Sequence, residues 1–217
     1  MAPSVKQRKI AILGSRSVGE CESWITALHE LATQYEHCGL TAPLLTTGKS
    51  SLAVQYCEGH FVESYYPTIE NTFSHEIVHK GQTFLTEIID TAGQDEYSLL
   101  NSKLYIGIHG YVIVYSVASR QSFDMVRIIR DKLLNHLGAD SVPIMIVGNK
   151  NDVDPKKQRK ISAEEGQALG KELNCGWIET SARNNTNVAK GFELMIAEIE
   201  KSQEPDKPAG GGKCSVM

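Results

Sequence analysis

Short apolar runs separated by helical periodicities set the narrowest limit on what this chain can fold into. Residues 9–13 are basic then apolar and end at Gly14, which reads as a buried strand feeding a turn. Further apolar runs follow at 84–90, 110–117 and 143–148, and a short last one at 177–179. Between and after them, 122–137 and 163–173 carry helical spacing, and 188–200 places Val188, Phe192, Met195, Ile196 and Ile199 on one helical face. Strands that alternate with helices imply a mainly parallel sheet covered on both faces, an α/β fold. One run, 73–79, alternates instead and follows a polar loop.

A length of 217 residues suits one domain plus a tail. Charged residues make up 22% and the formal charge is −4, without a basic stripe, so nucleic acid is not an expected partner. Residues 1–9 are polar and basic with no apolar signal core behind them, and no run of eighteen apolar residues occurs, which predicts synthesis in the cytosol. Cys21, Cys38, Cys57, Cys175 and Cys214 are odd in number and form no C-x-x-C pair, so reduced thiols are expected rather than a disulfide framework or a zinc site. After Ser202 the chain is rich in Pro, Gly, Lys and Asp and too poor in apolar residues to order itself. The organisation expected is an extension at 1–8, a globular domain at 9–201 and a flexible tail at 202–217.

Several loops that follow predicted strands carry chemistry. Asn149-Lys150-Asn151-Asp152 places a carboxylate where it can accept the N1 and N2 hydrogens of guanine, a donor pair that adenine lacks. Leaving such a carboxylate unpaired costs several kcal/mol, about 1–3 or more for a charged group, so one Asp can select the base. Ser181-Ala182-Arg183 follows the last short strand, where a backbone amide can reach the guanine O6. Asp90-Thr91-Ala92-Gly93-Gln94 ends another strand: Asp90 can approach a magnesium ion through water, the Gly93 amide can meet a γ-phosphate, and Gln94 can orient attacking water. In the loop Tyr65-Tyr66-Pro67-Thr68, Thr68 can supply a second magnesium ligand when that phosphate is present.

These residues, in this order, are similar to the Ras superfamily of small GTPases, and N-K-x-D, D-T-A-G-Q-D-E-Y-S and P-T-I-E-N-T-F together most resemble its Rheb type. The resemblance implies a P-loop NTPase fold with a six-stranded sheet containing one antiparallel pair. It also implies slow magnesium-dependent GTP hydrolysis, a switch between GDP and GTP forms, a TOR kinase complex as effector and an activating protein of the tuberin type. Arg16 matches the arginine that Rheb proteins carry where Ras proteins have glycine, which implies weak intrinsic hydrolysis; Tyr66 departs from both, where the family has Asp.

The phosphate loop is broken. G-x-x-x-x-G-K-[ST] must be continuous, because successive amides form a nest around the β-phosphate and the lysine reaches the β and γ oxygens. Here Gly14-Ser15-Arg16-Ser17-Val18-Gly19 runs into Glu20, and Gly48-Lys49-Ser50-Ser51 resumes the motif 29 residues later. Removing 20–48 restores G-S-R-S-V-G-K-S-S in register. The segment holds Glu20, Glu22, Glu30 and Glu36 but no Lys, Arg or Asp, and so carries the whole net charge of the chain. Its ends can be encoded with an intron donor within codons 19–21 and an acceptor AG at codons 47–48, and a branch-point-like sequence fits codons 40–41. One reading is therefore an unspliced intron of 87 nucleotides, leaving a working protein of 188 residues. The other is a genuine insertion with a helix at 22–35, whose Trp24, Leu28, Leu31 and Tyr35 share a face. A translated insert at this point is expected to lower nucleotide affinity severely.

Cys214-Ser215-Val216-Met217 fits a C-a-a-X signal that favours farnesylation. One prenyl chain with only Lys207 and Lys213 beside it implies weak attachment to the cytoplasmic face of endomembranes, vacuole or lysosome included. The competing functional class is a membrane-tethered interaction protein that does not cycle nucleotide.

Overall fold

A computed structural model describes residues 5–15, 46–63, 68–93 and 106–203. They form a six-stranded sheet in the order β2-β3-β1-β4-β5-β6. Its strands are β1 (Lys6–Gly14), β2 (Glu70–His79), β3 (Gln82–Thr91), β4 (Gly110–Ser116), β5 (Ile144–Asn149) and β6 (Gly176–Glu179). Four helices lie among the described residues: α1 (Lys49–Glu58), α2 (Arg120–Leu137), α3 (Ala163–Glu172) and α4 (Val188–Gln203). Only β2 runs antiparallel, against β3. The two join through Lys80 and Gly81 with φ of 49° and 76°, the left-handed pair that a tight hairpin requires.

The period-two alternation of the strands divides the core. Ile10 and Ile12 face one side with Val112, Val114, Met145 and Val147, where Leu52 of α1 and Phe192, Met195, Ile196 and Ile199 of α4 cover them. Ala11 and Leu13 face the other with Tyr111, Ile113, Tyr115, Ile144 and Ile146, beneath Phe123, Val126, Ile129 and Leu133 of α2 and Leu169 of α3. Both faces of the central strands are thus dry, which is why they read as near-continuous apolar runs. Close approach is built in: a Cβ on Gly110 would stand 2.7 Å from the methyl carbon of Met195, which lets α4 press onto β4.

Helix ends are set by local chemistry. The Ser119 side chain accepts from the Ser122 amide to start α2, and Ser162 and Glu165 form a reciprocal capping box at α3. Within the described residues the predicted strands and helices are present, with ends moved by a few residues. The alternating run is longer than 73–79, because pairing with β3 continues to Glu70. The last helix continues past Glu200 to Gln203, held by Arg8, which donates to Glu200 and, at 2.8 Å, to Gln203. Helix α1 is the one described element that the apolar pattern does not announce.

Candidate functional site

The strand termini that carry the motifs lie side by side. β3, β1, β4, β5 and β6 are parallel neighbours, so Asp90, Gly14, Ser116, Asn149 and Glu179 end on one edge of the sheet. In such sheets ligands bind beyond the carboxyl ends of the strands, where the chain departs to opposite faces. Here α1 covers one face, and α2, which follows β4, covers the other.

The resumed half of the phosphate loop is held by the predicted base-recognition motif. The Asn149 side-chain amide donates to the carbonyl of Thr47 at 3.0 Å and to that of Gly48 at 3.4 Å. Asn149 Oδ1 accepts from Thr180 Oγ1 and from the Ala182 amide, both at 3.2 Å. This residue is 1% exposed and acts as a rivet between the loop and the 180–182 segment rather than as an open ligand. Lys150 has φ of 69° and reaches back to donate to Thr46 Oγ1 at 3.2 Å. The hydroxyl of Ser181 donates to Asp152 Oδ1 at 2.5 Å, which orients the carboxylate. Gly48 caps α1 with φ of 77°, and a Cβ there would lie 2.5 Å from the Asn149 side-chain nitrogen. Only glycine meets both conditions.

Lys49 begins α1 and bends back over the end of β1. Its Nζ donates to the carbonyls of Gly14 at 3.4 Å and Ser15 at 3.3 Å, so the residues on either side of the break in the motif meet through this one side chain. Burial lowers its pKa to about 8 against the opposing pull of Asp90. Lys150 is likewise lowered to about 8 by burial, with Asp152 pulling the other way.

Asp90 is fully buried, and among the described residues neither carboxylate oxygen has a hydrogen-bond partner. Burial raises its pKa; the nearby Ser50 hydroxyl and the Lys49 charge favour the ionised form without supplying a bond of ordinary geometry. A buried carboxylate left in this state is a strong sign of an absent electrophilic partner. Close by, Ser50 Oγ and Thr68 Oγ1 are 2.7 Å apart. Carboxylate and hydroxyl oxygens together are the hard donor set that magnesium takes.

The structure therefore brings together Gly14, Ser15, Gly48, Lys49, Ser50, Thr68, Asp90, Asn149, Lys150, Asp152, Ser181 and Ala182. Ser51 lies in the first turn of α1, and Gly93 follows β3. Arg16, Ser17, Val18, Gly19, Tyr65, Tyr66, Gln94 and Cys214 lie outside the described residues, as does the helix expected at 22–35. Three contributors escape sequence reasoning: Thr46 and Thr47, which fall inside the segment read as foreign, and Thr180, a hydroxyl at a strand end with nothing in its spacing to mark it.

Comparison with known proteins agrees with this geometry. The sequence pattern described as the Ras family matches residues 45–201, beginning three residues before Gly48, where the broken motif resumes, and leaving out β1. The chain is 59% identical to the small monomeric GTPase RhbA of Aspergillus fumigatus and 56% identical to the GTP-binding protein rhb1 of Schizosaccharomyces pombe, each over the whole of both chains. It is 43% identical to the GTP-binding protein Rheb of Homo sapiens, over 99% of this chain and all of that one.

Proposed function

The chain belongs to the Ras family of small GTPases, in its Rheb-like branch, and from that premise we propose a GDP/GTP switch whose working form joins Gly19 directly to Lys49. Lys49 and the loop amides of Gly14 to Gly19 hold the phosphates. Asp152, fixed by Ser181, takes the guanine edge; the Ala182 amide and the riveting Asn149 complete that half of the site. Ser50, Thr68 and, through water, Asp90 are the residues that would hold magnesium. When bound, that ion neutralises charge on the γ-phosphate during transfer. Gln94 orients the attacking water, and Arg16, through the Rheb resemblance, supports slow intrinsic hydrolysis.

The observation that carries this reading is Asp90: a carboxylate with no exposure and no hydrogen-bond partner among the described residues, set beside a lysine and two hydroxyls. No purely structural role accounts for such a group, since burying it unpaired opposes folding. The test is the release of fluorescent GDP from the 188-residue chain lacking 20–48. Chelating divalent cations is expected to speed release at least about tenfold, a loss of roughly 1.4 kcal/mol of binding. Release that ignores chelation would overturn the assignment of Asp90, Ser50 and Thr68.

The remaining parts of the proposal rest on sequence. Residues 20–48 are removed from the working message, so reverse-transcribed RNA between the codons for Ile10 and Tyr56 is shorter than the gene by 87 nucleotides, three for each of the 29 residues. The C-a-a-X signal at Cys214 supports farnesylation and loose attachment to endomembranes. The Rheb resemblance supports a TOR complex as effector and a tuberin-type activating protein.

A further inference from the structure

At the edge of the sheet opposite the candidate site, α2, the chain entering β5 and the turn entering β6 enclose a cavity of about 120 Å³. Part of its wall is apolar: Leu134 comes from α2, Val142 and Ile144 from the entry to β5, and Leu173 from the end of α3. Arg130 and Asp140 line the same space. Every lining residue lies between 130 and 175, so the cavity is built without any part of the broken phosphate loop.

Arg130 is short of an acceptor. Its Nε is buried and has no hydrogen-bond partner among the described residues, while its Nη1 donates to Asp131 Oδ1 at 3.0 Å. The Asp131 side chain is 63% exposed, so water screens that pair and the buried side of the guanidinium is left unsatisfied. The neighbouring groups do not fill the role. Burial raises the pKa of Cys175 against the pull of Arg130, so at neutral pH it is a thiol, and it donates to the Leu173 carbonyl at 3.3 Å. Glu198 of α4, whose charge reaches Cys175, is turned to Lys201 at 3.8 Å. A buried N–H of a charged group opposes folding unless something supplied from outside accepts it.

Asp140 is short of a donor. It is exposed at the cavity and forms no ion pair or side-chain hydrogen bond among the described residues. One cavity therefore offers an unsatisfied cation, an unsatisfied carboxylate and apolar side chains. A plain carboxylate entering it is drawn by Arg130 and repelled by Asp140, a plain amine meets the reverse, and a molecule that carries both charges satisfies both. Size narrows the choice: a cavity of about 150 Å³ holds benzene, so this one takes about five or six heavy atoms. An α-amino acid with a methyl side chain is that size.

We propose that this cavity binds a small zwitterion, a short-chain α-amino acid, whose carboxylate accepts from Arg130 Nε, whose ammonium meets Asp140 and whose side chain rests on Leu134, Val142 and Leu173. The site is independent of the nucleotide reading, which can fail without it.

The experiment titrates the isotope-labelled full chain of 217 residues with L-alanine and, separately, with propionate and ethylamine, each of which lacks one of the two charges. The Arg130 Nε–H signal in the nuclear magnetic resonance spectrum, assigned by its loss in Arg130→Lys, reads the contact directly. L-alanine is expected to shift that signal to saturation with a dissociation constant on the order of 1 mM, and propionate and ethylamine to bind at least about tenfold more weakly. Asp140→Asn, a change at an exposed position that leaves the fold intact, should weaken L-alanine about tenfold and leave propionate as it was or tighter. If propionate binds as tightly as L-alanine and Asp140→Asn changes neither, the cavity takes a carboxylate alone and the inference fails. If no probe moves the signal, or each moves it without saturating and no further than sodium chloride does, the cavity holds no ligand of this class and the inference fails outright.

Discussion

Replacing Lys49 by methionine is expected to make the nucleotide-free 217-residue protein more stable while removing its hold on nucleotide. The residue is only 8% exposed, and burial lowers its pKa from 10.5 to about 8. Keeping it charged at neutral pH therefore costs roughly 3 kcal/mol, since each pH unit between those two values is worth about 1.36 kcal/mol. Methionine keeps most of the stem and removes the charge. The Gly14 and Ser15 carbonyls lose their donor, which takes back about 1 kcal/mol in total because both bonds are long. Asp90 also loses the positive charge that favours its ionised form, so the net gain is at most about 2 kcal/mol, or roughly 4–8 °C in Tm for a domain of this size. The sign with pH follows from a lysine whose folded pKa is depressed. The penalty is full below about pH 8 and disappears as pH rises to 10.5, so wild type and Lys49→Met should converge across that window. Thermal unfolding without nucleotide, from about pH 7 to 10.5, reads both effects. A variant no more stable than wild type at neutral pH, or a difference that does not shrink with pH, would refute the claim that this site holds a buried charge awaiting an anion.

Further outcomes follow from the same geometry. In the 217-residue chain Gly48→Ala meets both a φ of 77° and a Cβ contact of 2.5 Å with Asn149, so it should cost about 1–3 kcal/mol in urea unfolding as the rivet shifts. Asp90→Asn removes a carboxylate whose pKa burial raises; nucleotide-free stability at neutral pH should increase, the gain should fade as pH drops and the wild-type group protonates, and magnesium-dependent GDP retention should fall. Ser181→Ala frees the Asp152 carboxylate from its 2.5 Å partner and should weaken GDP binding about tenfold by calorimetry, the worth of one charge-assisted hydrogen bond.

The parallel sheet is legible in the sequence because its central strands are dry on both faces and therefore apolar throughout, and because α2 and α4 carry clear apolar stripes. Helix α1 is not, since its buried members are Lys49, Leu52, Ala53 and Gln55, two of them polar, and no apolar face repeats along it. It is a helix because a glycine with left-handed backbone starts it and its lysine is needed over β1, reasons that periodicity does not register. The site residues are readable as types in order: Asp90, Asn149, Asp152 and Ser181 each follow a strand or end one. What order alone does not carry is which carbonyl Asn149 takes. That bond goes to Thr47, a residue that composition assigns to the foreign segment, so the boundary of the insert by sequence and the boundary of the site in space do not coincide. The pairing of Ser50 with Thr68, 18 residues apart, likewise emerges only once β1 and β3 are neighbours.

Single-turnover GTP hydrolysis by the 188-residue chain, followed as phosphate release with and without magnesium, tests the central claim most directly. Slow turnover that needs magnesium and is lost in Asp90→Ala is the predicted result. A chain that folds and binds GTP but releases no phosphate under either condition would contradict it.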